Sequence, residues 1–272
     1  MSARTNTILI IGSTSGIGEA FARRFHSQGK KVIATGRNES KLNSLSKQLP
    51  GLETRQLFID DVSGLPQRTR AILDEFPTLD TVIITAGIQR CFNLFDSTST
   101  NPDKMTEEIT TNLTAPSVLV HLLAPHLLKL AESGTKTTLF LTSSTLAYIP
   151  LSFYPTYCAS KAGVAALAKV LRQQLSFASE EARRNMAVVE IVPPYTDTPL
   201  DKDHREMTIA MQGGREKAFP PMPLDEFVEA FFEAWEKDGA ARQEIGVGMG
   251  QMAVDTWRES FGKLYEPMGL ST

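Results

Sequence analysis

The sequence predicts an α/β protein: a doubly wound, mainly parallel sheet of seven strands with helices on both faces. Three observations predict it. Short apolar runs rich in β-branched residues alternate with amphipathic helical stretches along the chain, the pattern of right-handed βαβ crossovers and a parallel sheet. Several of those runs are apolar at consecutive positions, as expected of strands covered on both faces. A glycine-rich turn, Gly12 to Gly18, stands between the first strand and the first helix. The 272 residues suit one open sheet, read as a single domain over 1–272, and 42% hydrophobic with 22% charged residues is ordinary for a globular chain.

The elements follow in order. Residues 7–11 are the first strand, and a helix runs from the glycines to about Gln28, stopped by Gly29. A second strand, 31–35, ends at Gly36-Arg37. Asn38 is a suitable N-cap for the next helix, which Pro50-Gly51 terminates. A third strand at 55–59 runs into Asp60-Asp61-Val62, a helix covers 65–76, and a fourth strand at 81–84 ends in Thr85-Ala86-Gly87. A long helical region spans 103–132, contains Asn112, and is expected to kink at Pro116 and Pro125. The fifth strand, 137–142, ends in Ser143-Ser144. A helix opens at Tyr157 and extends to about Ser179, and the sixth strand, 186–192, stops at Pro193-Pro194. Residues 195–223 show no periodicity and read as a substrate loop. A helix at 224–237, a last strand at 244–247 and a terminal helix at 249–264, within a C-terminal extension 249–272, complete the chain.

Charge and cysteine usage bound the function. A net charge of −3 gives no electrostatic case for nucleic acid or an anionic membrane. No run of 18 or more apolar residues occurs, so no membrane span is expected. Two cysteines, Cys91 and Cys158, suggest no disulfide framework, and a reducing, cytoplasmic setting is expected.

Three stretches carry candidate chemistry. Gly12, Gly16 and Gly18 form GxxxGxG, with Ser13, Thr14, Ser15 and Ile17 between them. Such glycines permit a tight turn and let the backbone approach a diphosphate at a helix N-terminus. A structural turn or an S-adenosylmethionine site are the competing readings. At the end of the second strand, where NAD sites carry a carboxylate, this chain has Arg37 and no acid until Glu39. Guanidinium pairs with a 2′-phosphate, so NADP(H) is preferred, with NAD(H) possible and a solvated charge as the plain alternative. Finally, Tyr157 and Lys161 stand one helical turn apart. An ammonium there favours the phenolate, as does the helix N-terminus, so the phenol is expected to exchange a proton near neutrality.

The glycine pattern, Asp61-Val62, Ala86-Gly87, Asn112, Ser144, Tyr157, Lys161, and Pro193 followed by Thr198 fall together in one order and spacing. In these motifs the chain resembles the classical short-chain dehydrogenase/reductase family over nearly its full length, and residues 222–227 are similar to its DltE-like branch. The resemblance implies a Rossmann-type NAD(P)(H)-dependent oxidoreductase interconverting a carbonyl and an alcohol. It implies a tetrad: Tyr157 as general acid/base, Lys161 on the nicotinamide ribose, Asn112 holding a water in a proton relay, and Ser144 on the substrate oxygen. Asp61, Val62, Ala86 and Gly87 would meet the adenosine side, and Pro193, Thr196 and Thr198 the nicotinamide side. A homodimer or homotetramer would pack through the helix after Tyr157, where Ala162, Gly163, Ala165, Ala166 and Ala168 allow close approach. The chain departs from the family at Ile11, at Ile84-Thr85 and at Pro194, positions expected to affect strand ties and the nicotinamide cover.

A small-molecule substrate is expected to enter between residues 148–154, the 195–223 loop and Ile88 to Arg90. Tyr148, Phe153, Tyr154, Tyr195, Met207 and Met211 suggest an apolar pocket for a hydrophobic ketone or alcohol. A cofactor-binding sensor without turnover is the alternative; a transferase is disfavoured by Arg37, and an esterase by the absence of G-x-S-x-G around Ser143 or Ser144. Asp201, Asp203 and His204 read as a solvated charged loop, and no metal is expected. Cys158 reads as a packing residue. Met249, Met252, Ala253, Trp257, Phe261 and Leu264 read as core packing or a subunit contact.

Overall fold

The computed structural model describes residues 5–238 and 242–270; residues 1–4, 271 and 272, the ends of the expected domain and extension, lie outside the described residues. Seven strands form one sheet: β1 (Thr7–Ile11), β2 (Lys31–Gly36), β3 (Glu53–Gln56), β4 (Thr81–Ile84), β5 (Thr137–Thr142), β6 (Met186–Val192) and β7 (Glu244–Gly246). Their order is β3-β2-β1-β4-β5-β6-β7, and every pairing is parallel. The winding reverses between β1 and β4, which opens a crevice at the carboxyl ends of the strands. β1, β4, β5 and β6 are buried at every position, the structural counterpart of their mostly apolar, β-branched sequences.

Alternate side chains of these strands enter two cores. On one face Leu9, Val82, Leu139 and Val188 meet α3 (Leu65–Glu75), α5 (Ala115–Glu132) and α6 (Pro155–Leu175). On the other, Ile10, Ile83, Phe140 and Val189 meet α1 (Gly16–Ser27), α2 (Glu39–Gln48) and α9 (Leu224–Asp238). The second core is aromatic at its centre. The Phe231 ring lies 4.5 Å from Phe21, 5.4 Å from Phe232 and 6.1 Å from Phe140. Phe231→Ala is therefore expected to lower stability by about 3–5 kcal/mol, read from denaturant unfolding at constant m-value.

Several boundaries differ from the sequence reading, each for a local reason. β3 lies at Glu53–Gln56 rather than 55–59, because its partner β2 ends at Gly36 and leaves residues 58–59 nothing to pair with. Leu57 and Ile59 still bury their side chains, which is why they looked like strand. The long helical region breaks not at its prolines but in a π-helical turn, Thr110–Thr114, between α4 (Pro102–Ile109) and α5. Pro116 sits in the first turn of α5, directly after that π-helical turn, where Ala115 N still donates to Thr110 O. By length and composition the run Pro102–Glu132 is apolar enough to cross a membrane; here Leu119, Leu123 and Leu127 rest on the sheet. α6 stops at Leu175, and Ser179, expected as its end, instead caps a separate α7 (Glu180–Asn185) by accepting from Ala182 N.

The segment 195–223 is more ordered than its sequence suggests. Tyr195 O accepts from Met222 N and Met222 O from Asp197 N, both at 2.8 Å, so its two ends are pinned together. Between them lies α8 (Arg205–Met211), at seven residues too short to show a period. α10 (Met249–Glu259) gives way at Ser260 to a 3-10 stretch, Phe261–Met268, and Phe261 and Leu264 are exposed rather than in the core.

Candidate active site

The loop after β1 is shaped by glycines that side chains cannot replace. Gly12 has φ +102°, and a Cβ there would lie 2.6 Å from the Ala86 backbone. A Cβ on Gly18 would run into the Gly12 carbonyl oxygen, so α1 packs close against the turn. Ser13, expected to face a cofactor, is fully buried and donates to Ile10 O and Thr35 O at 3.2 and 3.0 Å; it ties strands instead. Thr85 Oγ1 similarly donates to Ile11 O at 3.0 Å, so a central-strand tie exists despite the departures at Ile11 and Ile84-Thr85. Thr14 packs on Gly36. Ser15 precedes α1 without a side-chain cap, which leaves the first-turn N–H groups available to an anion.

Further along the crevice stand the other nucleotide candidates. Arg37 is exposed just beyond β2, and among the described residues its guanidinium has no hydrogen bond or ion pair. Asp61 accepts from Arg68 at 2.7 Å, from Ser63 at 2.8 Å and from Gly64 N at 3.2 Å; the Ser63 bond first, then Arg68, hold its carboxyl below the usual range. Val62 packs against the first core.

The tetrad candidates converge. β5 delivers Ser143 and Ser144 to the crevice, and they diverge there. Ser143 donates to the buried Glu190, while Ser144 accepts from Leu146 N at 3.1 Å and draws the proton affinity of the Tyr157 phenol down. Pro155 at the first position of α6 starts the helix that carries Tyr157 and Lys161, both buried. Lys161 Nζ lies 5.6 Å from the Tyr157 ring centre and donates to Thr142 O at 2.9 Å. Asn112, in the π-helical turn, grips Ile88 twice: Oδ1 accepts from its N–H at 2.9 Å and Nδ2 donates to its carbonyl at 2.8 Å. Gly87 passes between Asn112 and Lys161, where a Cβ would sit 3.3 Å from Oδ1 and 3.6 Å from Nζ.

The proton affinities correct the sequence reading. Burial pushes the Tyr157 phenol above its ordinary value, against the pull of the Ser144 hydrogen bond. The expected lowering by Lys161 is absent: its ammonium stands over the ring and directs its hydrogen bond to Thr142 O rather than to the phenol oxygen. Lys161 itself is pushed down to about 8 by burial, with Glu108 opposing.

Tyr157, Lys161, Ser144 and Gly87 line one cavity of about 990 Å³. Ile17, Pro193, Thr196 and Thr198 border it, and Phe153, Tyr154 and Tyr195 stand on its outer wall. Five expected pocket residues do not line it. Ile88 is held by Asn112, and Arg90 pairs with Glu107 at 2.6 Å. Tyr148 turns away to donate to Glu190 at 3.0 Å. Met207 and Met211 are about half exposed on the far face of α8, whose Thr208 and Ile209, with Gln212 just past its end, face the cavity instead. Gln89, inside the expected Ile88 to Arg90 stretch, lines the cavity, as do Met249 and Met252, which the sequence placed in packing or a subunit contact; only the path of the chain places such side chains. Asp201 and His204 are buried, not solvated: Asp201 accepts from Arg205 and from Tyr195 at 2.6 Å, and His204 meets Gln89 at 3.2 Å. Asp203 is exposed. Cys158 is buried beside Tyr154 and Tyr157.

The residues present fit a nicotinamide dinucleotide. Besides the uncapped N-terminus of α1, the buried Thr142 Oγ1 on the cavity wall has no hydrogen-bond partner among the described residues. On α6, Ala165 and Ala168 are buried and Gly163 packs on Leu113, so of the five small residues expected at a subunit contact Ala162 and Ala166 face outward.

Residues 6–209 match the short chain dehydrogenase family. The chain is 32% identical over 268 residues to the uncharacterized oxidoreductase DltE of Bacillus subtilis, covering 98% of each. In three dimensions it is similar to a short-chain dehydrogenase/reductase of Burkholderia phymatum in complex with NAD (TM-score 0.78, 17% identity, covering 97% of this chain and 96% of the other). It is also similar to a short-chain dehydrogenase of Sphingobium yanoikuyae in complex with NADPH (TM-score 0.75, 23% identity, 95% of each chain). Both structural likenesses speak for the Rossmann-type fold. The chain belongs to the short-chain dehydrogenase/reductase family, in the branch of DltE.

Proposed function

We propose that this chain is an NADP(H)-dependent oxidoreductase that interconverts an apolar ketone or aldehyde and its alcohol. One observation carries the reading: the Ser144 and Tyr157 hydroxyls and the Lys161 ammonium line the same largely apolar cavity. The α1 N-terminus, Thr142, Thr196, Thr198 and Lys161 would hold the nicotinamide dinucleotide, which supplies or takes up hydride. Ser144 donates to the carbonyl oxygen, which fixes its place and stabilises charge developing there. Tyr157, kept protonated by burial, gives its proton to that oxygen in reduction and takes it back in oxidation. Lys161 places a positive charge under the ring as that proton leaves.

The cavity charges support a neutral substrate. Arg205 on its wall is bound to Asp201 at 2.7 Å and Asp197 at 2.9 Å, and Arg215 to Glu206 at 2.7 Å. Among the described lining cations, Lys161 alone has no carboxylate within ion-pair distance. The preference for NADP(H) rests on Arg37, since one similar structure holds NADPH and another NAD. Two copies would pair through the outward stripe of Ala162, Ala166 and Val170 on α6.

A screen of apolar ketones with NADPH and NADH in parallel tests the activity. Arg37→Ala is expected to raise the NADPH KM by about 10–100-fold, the value of charge-assisted bonds to a phosphate, while moving the NADH KM by less than about threefold. Equal effects on both cofactors would remove the 2′-phosphate assignment.

A further inference from the structure

Glu190 is a buried acid that the proposed reaction does not use. It sits inside β6, which pairs with β5 on one side and β7 on the other, and it is fully buried. An ionisable side chain in such a place needs partners. Among the described residues, its side-chain partners are all donors. Oε1 accepts from the Ser143 hydroxyl, both oxygens accept from the Tyr148 hydroxyl at 3.0 Å, and Lys169 Nζ stands 3.6 Å from Oε2. Lys169 also donates to the Tyr148 oxygen at 3.3 Å, which leaves the phenol's own proton for Glu190.

The two hydroxyls belong to opposite ends of one short segment. Ser143 leaves β5, Ser144 follows, a 3-10 turn covers Thr145–Ala147, and Tyr148 closes it. Glu190 therefore grips the chain on either side of Ser144. Between the grips, Ser144 Oγ accepts from Leu146 N at 3.1 Å, and Thr145 Oγ1 donates to Pro193 O at 3.0 Å. The acid itself is carried by a strand paired on both edges, the kind of rigid support that accurate placement of a reacting group requires.

We propose that Glu190 is a positioning residue for Ser144: it clamps Ser143 and Tyr148, the two ends of the segment, and so aims the Ser144 hydroxyl at the carbonyl oxygen in the cavity, with Lys169 as its counter-charge. This rests on the reading of Ser144 as the donor to that oxygen. A glutamine cannot take the place of Glu190. With its one oxygen on Ser143, its amide NH2 would face the Tyr148 hydroxyl and the Lys169 ammonium, donor against donor. Lys169, itself buried, would also lose the carboxylate beside it.

A double-mutant cycle on kcat and amide hydrogen exchange test this together. Glu190→Gln is expected to lower kcat by about 10–100-fold, the cost of a misplaced group, with NADPH affinity unchanged within about twofold. In a Ser144→Ala background, where no hydroxyl is left to aim, the same change should lower kcat by less than about threefold. A role in folding alone would cost the same factor in both backgrounds. Without any need for turnover, exchange of the Leu146 amide, which donates to Ser144 Oγ, should speed up by about tenfold or more in Glu190→Gln while the β5 and β6 amides keep their wild-type rates. Equal kcat losses in the two backgrounds, or unchanged exchange at Leu146, overturn the proposal. Should Glu190→Gln fail to fold, Tyr148→Phe removes one arm of the clamp and keeps the ring, and the same two results decide. If the wild type turns over no carbonyl substrate, the proposed function fails, and the exchange rate at Leu146 alone decides whether the clamp holds.

Discussion

Tyr157→Phe is expected to lower kcat by about a thousandfold, the middle of the range for one proton-transfer group, while NADPH affinity stays within a few-fold. The substitution removes one oxygen and little else. The ring keeps its place 6.5 Å from the Tyr154 ring and 5.6 Å from Lys161 Nζ. Ser144 keeps the bond from Leu146 N. Stability should change by no more than about 1 kcal/mol, since one buried hydroxyl is removed and no shape is lost. Steady-state rates beside equilibrium binding of NADPH separate the two effects. Turnover near wild type would remove Tyr157 as the acid/base.

Lys161→Met should abolish most turnover and yet make the protein more stable at neutral pH. A lysine that titrates at about 8 in the fold and near 10.5 unfolded is held against its preference. Below pH 8 it is protonated in both states, and the folded state carries the full cost, roughly 3 kcal/mol. Between pH 8 and 10.5 the folded state releases the proton first, so wild-type stability rises with pH and the cost disappears. That figure already includes attraction to Glu108. Losing the bond to Thr142 O takes back about 1 kcal/mol, leaving a net gain of about 2 kcal/mol at pH 7. Denaturant unfolding at pH 7 and pH 10 should show the advantage of the variant shrinking at the higher pH. A variant less stable than wild type at pH 7 would contradict the burial account of Lys161.

The sheet was legible because its strands are buried on both faces. A short, mostly apolar run rich in β-branched residues and bounded by turn residues marks such a strand, and β6 matches its sequence limits at both ends even with Glu190 inside it. β3 was misplaced because burial of Leu57 and Ile59 mimics pairing. In the site, fixed spacing along a helix brought Tyr157 and Lys161 to one turn, but spacing says nothing of solvent. The phenol was expected to be acidic because its neighbour is a cation; burial of both groups reverses the direction. The same blindness hid Asp201 and His204, which look like loop charges until Arg205, Tyr195 and Gln89 close around them. Met207 and Met211 were chosen for their chemistry. In a helix of seven residues the face that meets the cavity is set by the pinned ends at Tyr195 and Met222, not by a pattern within it.

The central claim is that a nicotinamide dinucleotide and a carbonyl substrate meet in the cavity that Tyr157, Ser144 and Lys161 line. A crystal structure of the chain grown with NADPH tests this most directly. The account predicts the nicotinamide end inside that cavity, in contact with Lys161 and beside Tyr157, and the diphosphate on the N-terminus of α1. A nucleotide bound elsewhere, or one whose nicotinamide lies outside the cavity, would contradict it.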